Sequence, residues 1–126
     1  EELELIDSHV RAEHEVGGGR ADLLVEYPDG RRRYVEIETL YGTHSPREKL
    51  RKTLNKYLGV CGKGCEVSVI LLPLHVILHA GMLLTLKKFY RDRGLRVEFY
   101  TVNMEELRLV PMREVLERLK ELKTAG

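Results

Sequence analysis

The sequence predicts an α/β domain built on a central mixed β-sheet flanked by helices. Three observations carry that reading. Two β-type segments are joined by Pro28-Asp29-Gly30, the composition of a tight antiparallel hairpin. Residues 66–72 (EVSVILL) are almost continuously apolar, as a central strand buried on both faces would be. Helix-period and strand-period segments then alternate to the end of the chain, which calls for crossovers and parallel pairing. The element order is hairpin strands, helix, strand, helix, strand, helix. No internal repeat or low-complexity tract interrupts it.

Residues 1–7 (EELELID) are too short to classify and fit the tail of a helix. Residues 9–16 alternate Val10, Ala12, His14 and Val16 with Arg11, Glu13 and Glu15, which suggests a strand, with a helix as the alternative. Gly17-Gly18-Gly19 forces a loop. Residues 20–27 and 31–40 are the hairpin strands. Pro28 presets the first turn position, Asp29 suits the second, and Gly30 accepts a left-handed third. Ser45-Pro46-Arg47-Glu48 is a capping box with Pro at the first helical position, opening a helix that stops at Gly59. Its apolar side carries Leu50, Leu54, Tyr57 and Leu58. A helix is predicted over 74–93, closed by Gly94. Residues 95–102 alternate as a strand. A last helix starts at Pro111 and turns Val115, Leu116, Leu119 and Leu122 inward.

The chain has 126 residues, enough for one core, so a single domain over 1–126 is expected. It begins with Glu and not Met, which fits a processed product or a domain of a longer protein. At 43% hydrophobic and 33% charged, with net charge +1, it reads as globular, with no overall field that announces nucleic acid. Any basic surface must be local. Gln is absent and Asn occurs only at 55 and 103, beside abundant Glu, Lys and Arg, a thermophile-like composition. No signal peptide is visible and two cysteines cannot make a disulfide framework, so a cytoplasmic location is expected. The apolar stretch over 67–86 is interrupted by Pro73, His75, His79 and Gly81, and fits a strand, a turn and a core helix better than a membrane span.

The chemistry concentrates in Glu36-Ile37-Glu38. Side chains alternate along a strand, so Glu36 and Glu38 share a face. If Pro28-Asp29-Gly30 is the loop, Tyr27 pairs with Arg31 and Asp22 falls directly opposite Glu36. Arg20 then lies opposite Glu38, and Ala21, Leu23, Val25, Val35 and Ile37 occupy the other face, the expected core side. Like charges facing each other destabilise a sheet. A divalent cation would resolve the repulsion among Asp22, Glu36 and Glu38, and Mg²⁺ binds through one or two carboxylates plus waters. If the apolar set of the first strand faces the core, Glu13 and Glu15 join that side. The alternative is a solvated sheet face stitched by cross-strand Arg20–Glu38 and Glu26–Arg32 pairs.

Gly19-Arg20-Ala21-Asp22-Leu23-Leu24-Val25, a hairpin, and then Val35-Glu36-Ile37-Glu38 resemble the PD-(D/E)XK nuclease superfamily. The likeness covers the element order over residues 10–72. It implies a restriction-endonuclease-like fold and a Mg²⁺- or Mn²⁺-dependent nuclease acting on DNA ahead of RNA. Carried over, Asp22 matches the metal-binding Asp, and Glu36 the acid of the second half-motif. The lysine position of the motif falls on Glu38, as in some restriction endonucleases of the superfamily. A lysine from the next helix, Lys49 or Lys52, is the other route, with Lys52 taken as the catalytic candidate; loss of catalysis is the third. Glu15 is the candidate for the further metal-binding Glu that the family often draws from its N-terminal element. Such chemistry needs an activated water, neutralised phosphate charge and a stabilised leaving oxygen, which carboxylate-held metal ions supply.

Nucleic-acid contacts are expected from Arg20, from Arg32 within Arg31-Arg32-Arg33, and from Arg47, Lys49, Lys52 and Lys56 on the second helix, flanking the acids. Cys61 and Cys65 with His75 and His79 mimic a zinc site. An extended strand between them would carry the histidines away at about 3.3 Å per residue. A Cys61–Cys65 disulfide or two free thiols is the reading preferred. His75 and His79 suit a core edge, and His44 is the histidine best placed to approach the acids. Two other functions stay open: a catalytically inactive domain of the same fold that binds nucleic acid or a protein partner, and an interaction domain that homodimerises through Val115, Leu119 and Leu122.

Overall fold

The computed structural model describes residues 9–16 and 19–125. The expected helix tail at residues 1–7 and the loop at Gly17-Gly18 lie outside the described residues. Within them, six strands form one sheet in sequence order. β1 (His9–Val16), β2 (Gly19–Glu26) and β3 (Arg32–Ile37) are antiparallel neighbours. β4 (Cys65–Ile70) and β5 (Val97–Asn103) continue the sheet in parallel with β3. β6 (Arg108–Pro111) closes it antiparallel to β5. The mixed α/β architecture matches the expectation, and residues 9–16 settle as a strand.

Hairpin β2–β3 has the predicted loop and register. Tyr27 N–H donates to the Arg31 carbonyl at 2.9 Å, Gly30 N–H to the Tyr27 carbonyl at 3.0 Å, and Gly30 has φ +91°. Leu23 pairs with Val35 and Leu24 with Tyr34, which places Asp22 level with Glu36 as expected.

Helix α1 (Pro46–Asn55) crosses from β3 to β4, and its predicted cap forms, with Ser45 Oγ accepting the Glu48 N–H at 3.3 Å. Leu50, Leu54 and Tyr57 are fully buried, each contributing about 1.5–3 kcal/mol of apolar burial. They pack with Leu24, Tyr34, Val67, Val69 and Phe99 of the sheet. Helices α2 (Pro73–Leu78) and α3 (Ala80–Arg91) lead from β4 to β5. Tyr90 of α3 donates its hydroxyl to Asn55 Oδ1 at 2.6 Å, tying α3 to the end of α1. Helix α4 (Met112–Ala125) lays Met112, Val115 and Leu116 against the same core.

Four expectations needed revision. The helix predicted over 74–93 is broken at His79 (φ −113°, ψ 19°) into α2 and α3. Periodicity cannot detect the break, because Val76 and Leu83 are seven residues apart and stay in phase across it. β6 was not predicted; at four residues it is too short for a periodic signal. It follows a turn in which Asn103 Oδ1 accepts the N–H groups of Glu105 and Glu106. Leu122 is not inward but 70% exposed, since the core ends one helical turn earlier. The largest revision concerns the sheet faces. Ala21, Val25 and Val35 are buried as expected, yet Ile37 is 60% exposed and Leu23 only half-buried. The face covered by α1 is the one that carries the acids.

Candidate functional site

The β2–β3 ladder runs as far as Leu23 and Val35 and then opens. Beyond it, backbone donors bond to side chains across the gap. Ile37 N–H donates to Asp22 Oδ2 at 2.7 Å, and Asp22 N–H to Glu36 Oε2 at 3.3 Å. Each carboxylate therefore replaces a carbonyl that the other strand no longer supplies. On its other side β3 stays paired, with Glu38 N–H donating to the Ile70 carbonyl at 3.0 Å. The result is a notch between β2 and β3 whose lip is Asp22, exposed, and whose wall is Glu36, only 2% exposed.

Helix α1 brings the positive charge. Lys56 Nζ lies 2.5 Å from Glu36 Oε1 and also donates to the Arg20 carbonyl. Lys49 Nζ lies 3.9 Å from Glu38 Oε2 and donates to the Thr39 carbonyl at 2.5 Å. Thr53 Oγ1 donates to Glu38 Oε1 at 2.7 Å. Lys49, Thr53 and Lys56 recur at i, i+4, i+7 and so line one side of α1. That side borders the buried Leu50–Leu54–Tyr57 stripe. Lys52 is rotated further from the stripe and is exposed, so it reaches neither Glu36 nor Glu38. The lysine that meets the motif acid is Lys56, which the sequence suggested only as a nucleic-acid contact. Its spacing along the helix face was the signal that could have found it.

Burial is the main influence on Glu36, pushing its pKa above the usual glutamate range. The Lys56 ammonium pulls it back, and the Asp22 charge pushes it up again. Tyr57 is wholly buried beside these acids. Burial first, then the charges of Glu36 and Asp22, drive its pKa far upward, so it remains a neutral phenol. Repulsion between Asp22 and Glu36 is thus answered by Lys56 and by two N–H groups, a solution the sequence argument had assigned to a cation. Asp22, Glu36 and Glu38 against Lys49 and Lys56 leave one net negative charge at the notch.

The other expected residues fall as follows. Glu15 stands across from Arg20 on the β1–β2 ladder, two pairs from the level of Asp22. The residue level with Asp22 is Glu13, between the pairs Ala12–Leu23 and His14–Ala21, with φ +50°. Arg20 is exposed at the start of β2, and the Arg20–Glu38 pair of the alternative reading is replaced by Thr53 and Lys49 on Glu38. Glu26 faces Arg32 in register but forms its ion pair with Arg11, at 3.2 Å. Arg32 opens β3, four residues before Glu36, which puts it about 13 Å along the strand. It does not flank the acids. Arg47 and His44 are exposed near the start of α1. Cys61 and Cys65 form a disulfide with Cα atoms 5.4 Å apart, and His75 is buried, its ring 4.5 Å from that of Tyr41.

Among the described residues no group of three or more His, Cys, Asp or Glu side chains converges on one point. Protein donors already hold Asp22 Oδ2, Glu36 Oε1 and Glu36 Oε2, so a cation at this pair would meet few protein oxygens and would have to keep most of its waters, as Mg²⁺ does.

No protein-family model matches the sequence, and no curated protein matches it. A search of solved structures finds SfsA of Pyrococcus furiosus, determined in complex with Ca²⁺, at a TM-score of 0.50 and 14% identity. The likeness is one of fold. It covers 83% of this chain and 53% of that one, so this chain spans about half the length of its neighbour. The central mixed sheet flanked by helices is thereby compatible with the restriction-endonuclease-like architecture that the motif implied. Among the described residues no helix is long and apolar enough to cross a membrane. The apolar run over 67–86 is instead divided among β4, α2 and α3.

Proposed function

We propose that this chain is a metal-dependent phosphodiesterase of PD-(D/E)XK type acting on nucleic acid, DNA ahead of RNA. The observation that supports this most is the Lys56–Glu36 contact at 2.5 Å, formed opposite Asp22 across the hairpin. It puts two acids and a lysine on one notch, with the lysine arriving from α1 while the strand position holds Glu38. The fold likeness to a protein solved with Ca²⁺ supports a divalent cation as the cofactor.

In this reading Asp22 and Glu36 hold Mg²⁺ or Mn²⁺. The bound cation supplies an activated water, charge neutralisation and leaving-group stabilisation. Lys56 sets the charge on Glu36 and places a cation where negative charge grows on the phosphate. Glu38, fixed by Thr53 and Lys49, orients the attacking water or accepts its proton. Tyr57 stays protonated and closes the inner end of the notch.

The test is cleavage of labelled DNA and RNA with Mg²⁺ or Mn²⁺, comparing the wild type with Asp22→Ala. Loss of metal-dependent cleavage in the variant is the expected result. Absence of wild-type cleavage together with no metal binding by calorimetry would overturn the enzyme reading. The second reading, an inactive nuclease-fold domain that binds nucleic acid or a protein partner, is favoured by the lack of a three-ligand group among the described residues. Oligonucleotide binding without cleavage would select it.

A further inference from the structure

At the opposite end of the sheet, the start of β3, β4 and β5 surrounds a second concavity of about 550 Å³. Ligand sites for small molecules run roughly 300–1,000 Å³. Six cations line it, Arg31, Arg32, Arg33, Lys63, Arg96 and Arg113, against two carboxylates, Glu66 and Glu98. Arg31 is paired with Asp29 at 2.6 Å, which leaves an excess of three positive charges, large for a chain whose net charge is +1.

Both carboxylates are already engaged. Glu66, buried on the pocket floor, accepts from Ser68 at 2.6 Å and Tyr100 at 3.4 Å, and pairs with Arg33 at 3.3 Å and Arg96 at 3.4 Å. Its role is to fix two guanidinium groups in place, the preorganisation that lowers the cost of binding. Arg33 spends Nε on Glu66, and its Nη1 is buried without an acceptor. Glu98 is drawn to Lys87 of α3 at 2.7 Å. Lys63, by contrast, is exposed and has no ion-pair partner among the described residues.

The rim admits a ligand closely. Gly62 and Gly64 flank Lys63, Gly94 lies opposite, and nothing stands within 4 Å of where a Cβ would be at any of the three. Bare backbone beside arginine forks is suited to phosphate oxygens. A concave site with a buried floor suits a compact polyanion better than a continuous strand, which would follow an open groove.

We propose that this pocket binds a small phosphorylated compound carrying at least two phosphate groups, of nucleoside-diphosphate size. It is separate from the acidic notch, from which Arg32 and Arg33 stand about 10–13 Å along β3.

The test is calorimetry on the full chain in EDTA, which removes metal-mediated binding at the acids, with pyrophosphate and ADP as probes. The variant Lys63→Glu/Arg113→Glu changes two exposed pocket residues. Lys52→Glu/Lys88→Glu makes the same change of net charge outside the pocket, and circular dichroism checks that both fold. Saturable one-to-one binding, weakened about tenfold or more in the pocket variant and less than about twofold in the control, is expected. No saturable binding of either probe would overturn the proposal, as would equal weakening in both variants. A single-stranded oligonucleotide that binds through Lys63 and Arg113 while pyrophosphate and ADP do not would overturn the small-molecule assignment.

Discussion

Lys56 Nζ sits 2.5 Å from Glu36 Oε1, joining the last turn around α1 to the buried end of β3. A glutamate 2% exposed keeps its charge at low cost only with such a partner. Lys56→Ala should therefore destabilise the fold by about 2–3 kcal/mol, and Lys52→Ala by less than about 0.5 kcal/mol. Urea denaturation measures both. If the proposed activity holds, cleavage falls about a hundredfold or more in Lys56→Ala and stays near wild type in Lys52→Ala.

The pH profile of stability carries a signature of Glu36. Its pKa is raised in the folded protein, so the folded state holds a proton that the unfolded state has already lost. Stability contributed by that proton is full below the unfolded pKa and declines as pH rises through the raised folded value. In metal-free buffer, urea midpoints should fall as pH rises above the ordinary glutamate range, where the folded protein alone still holds this proton, and Glu36→Gln should flatten that segment. An unchanged slope in the variant would mean that Glu36 is not the group responsible.

The disulfide closes a short loop, Cys61 to Cys65, between the exit of α1 and the entry of β4. By loop-closure entropy for so small a ring, reduction or Cys61→Ser/Cys65→Ser should cost about 2 kcal/mol. Thermal denaturation with and without reductant reads this directly. Cys61 N–H also donates to the Tyr57 carbonyl at 3.0 Å, a bond that does not need the disulfide, so metal-dependent cleavage is expected to survive reduction if the proposed activity holds.

Ser45 caps α1 through the Glu48 N–H. Ser45→Ala should destabilise by about 1 kcal/mol, whereas Ser45→Asp should retain the cap. Because α1 carries Lys49, Thr53 and Lys56 to the acids, the Ala variant should also raise hydrogen exchange along the helix.

Much of this protein is local chemistry, and local chemistry is legible in a sequence. Pro28-Asp29-Gly30 sets the hairpin, the hairpin sets the register, and the register puts Asp22 level with Glu36. The Ser45-Pro46 cap and the Leu50–Leu54–Tyr57 spacing define α1 before any fold is known. What the residues could not say is which face of the sheet α1 would cover. Alternation assigns side chains to two faces without ranking them, and here both faces are buried near β3. The helix settled on the acidic face, which turned Glu36 into a wall residue and selected Lys56 over Lys52. The break at His79 stayed hidden because the apolar period runs through it in phase. The basic pocket stayed hidden for another reason: its arginines come from β3, the β5 approach and α4, far apart in the chain and gathered only by the parallel strands. Hydrogen bonding along neighbouring residues wrote the elements; long-range packing decided which charges meet.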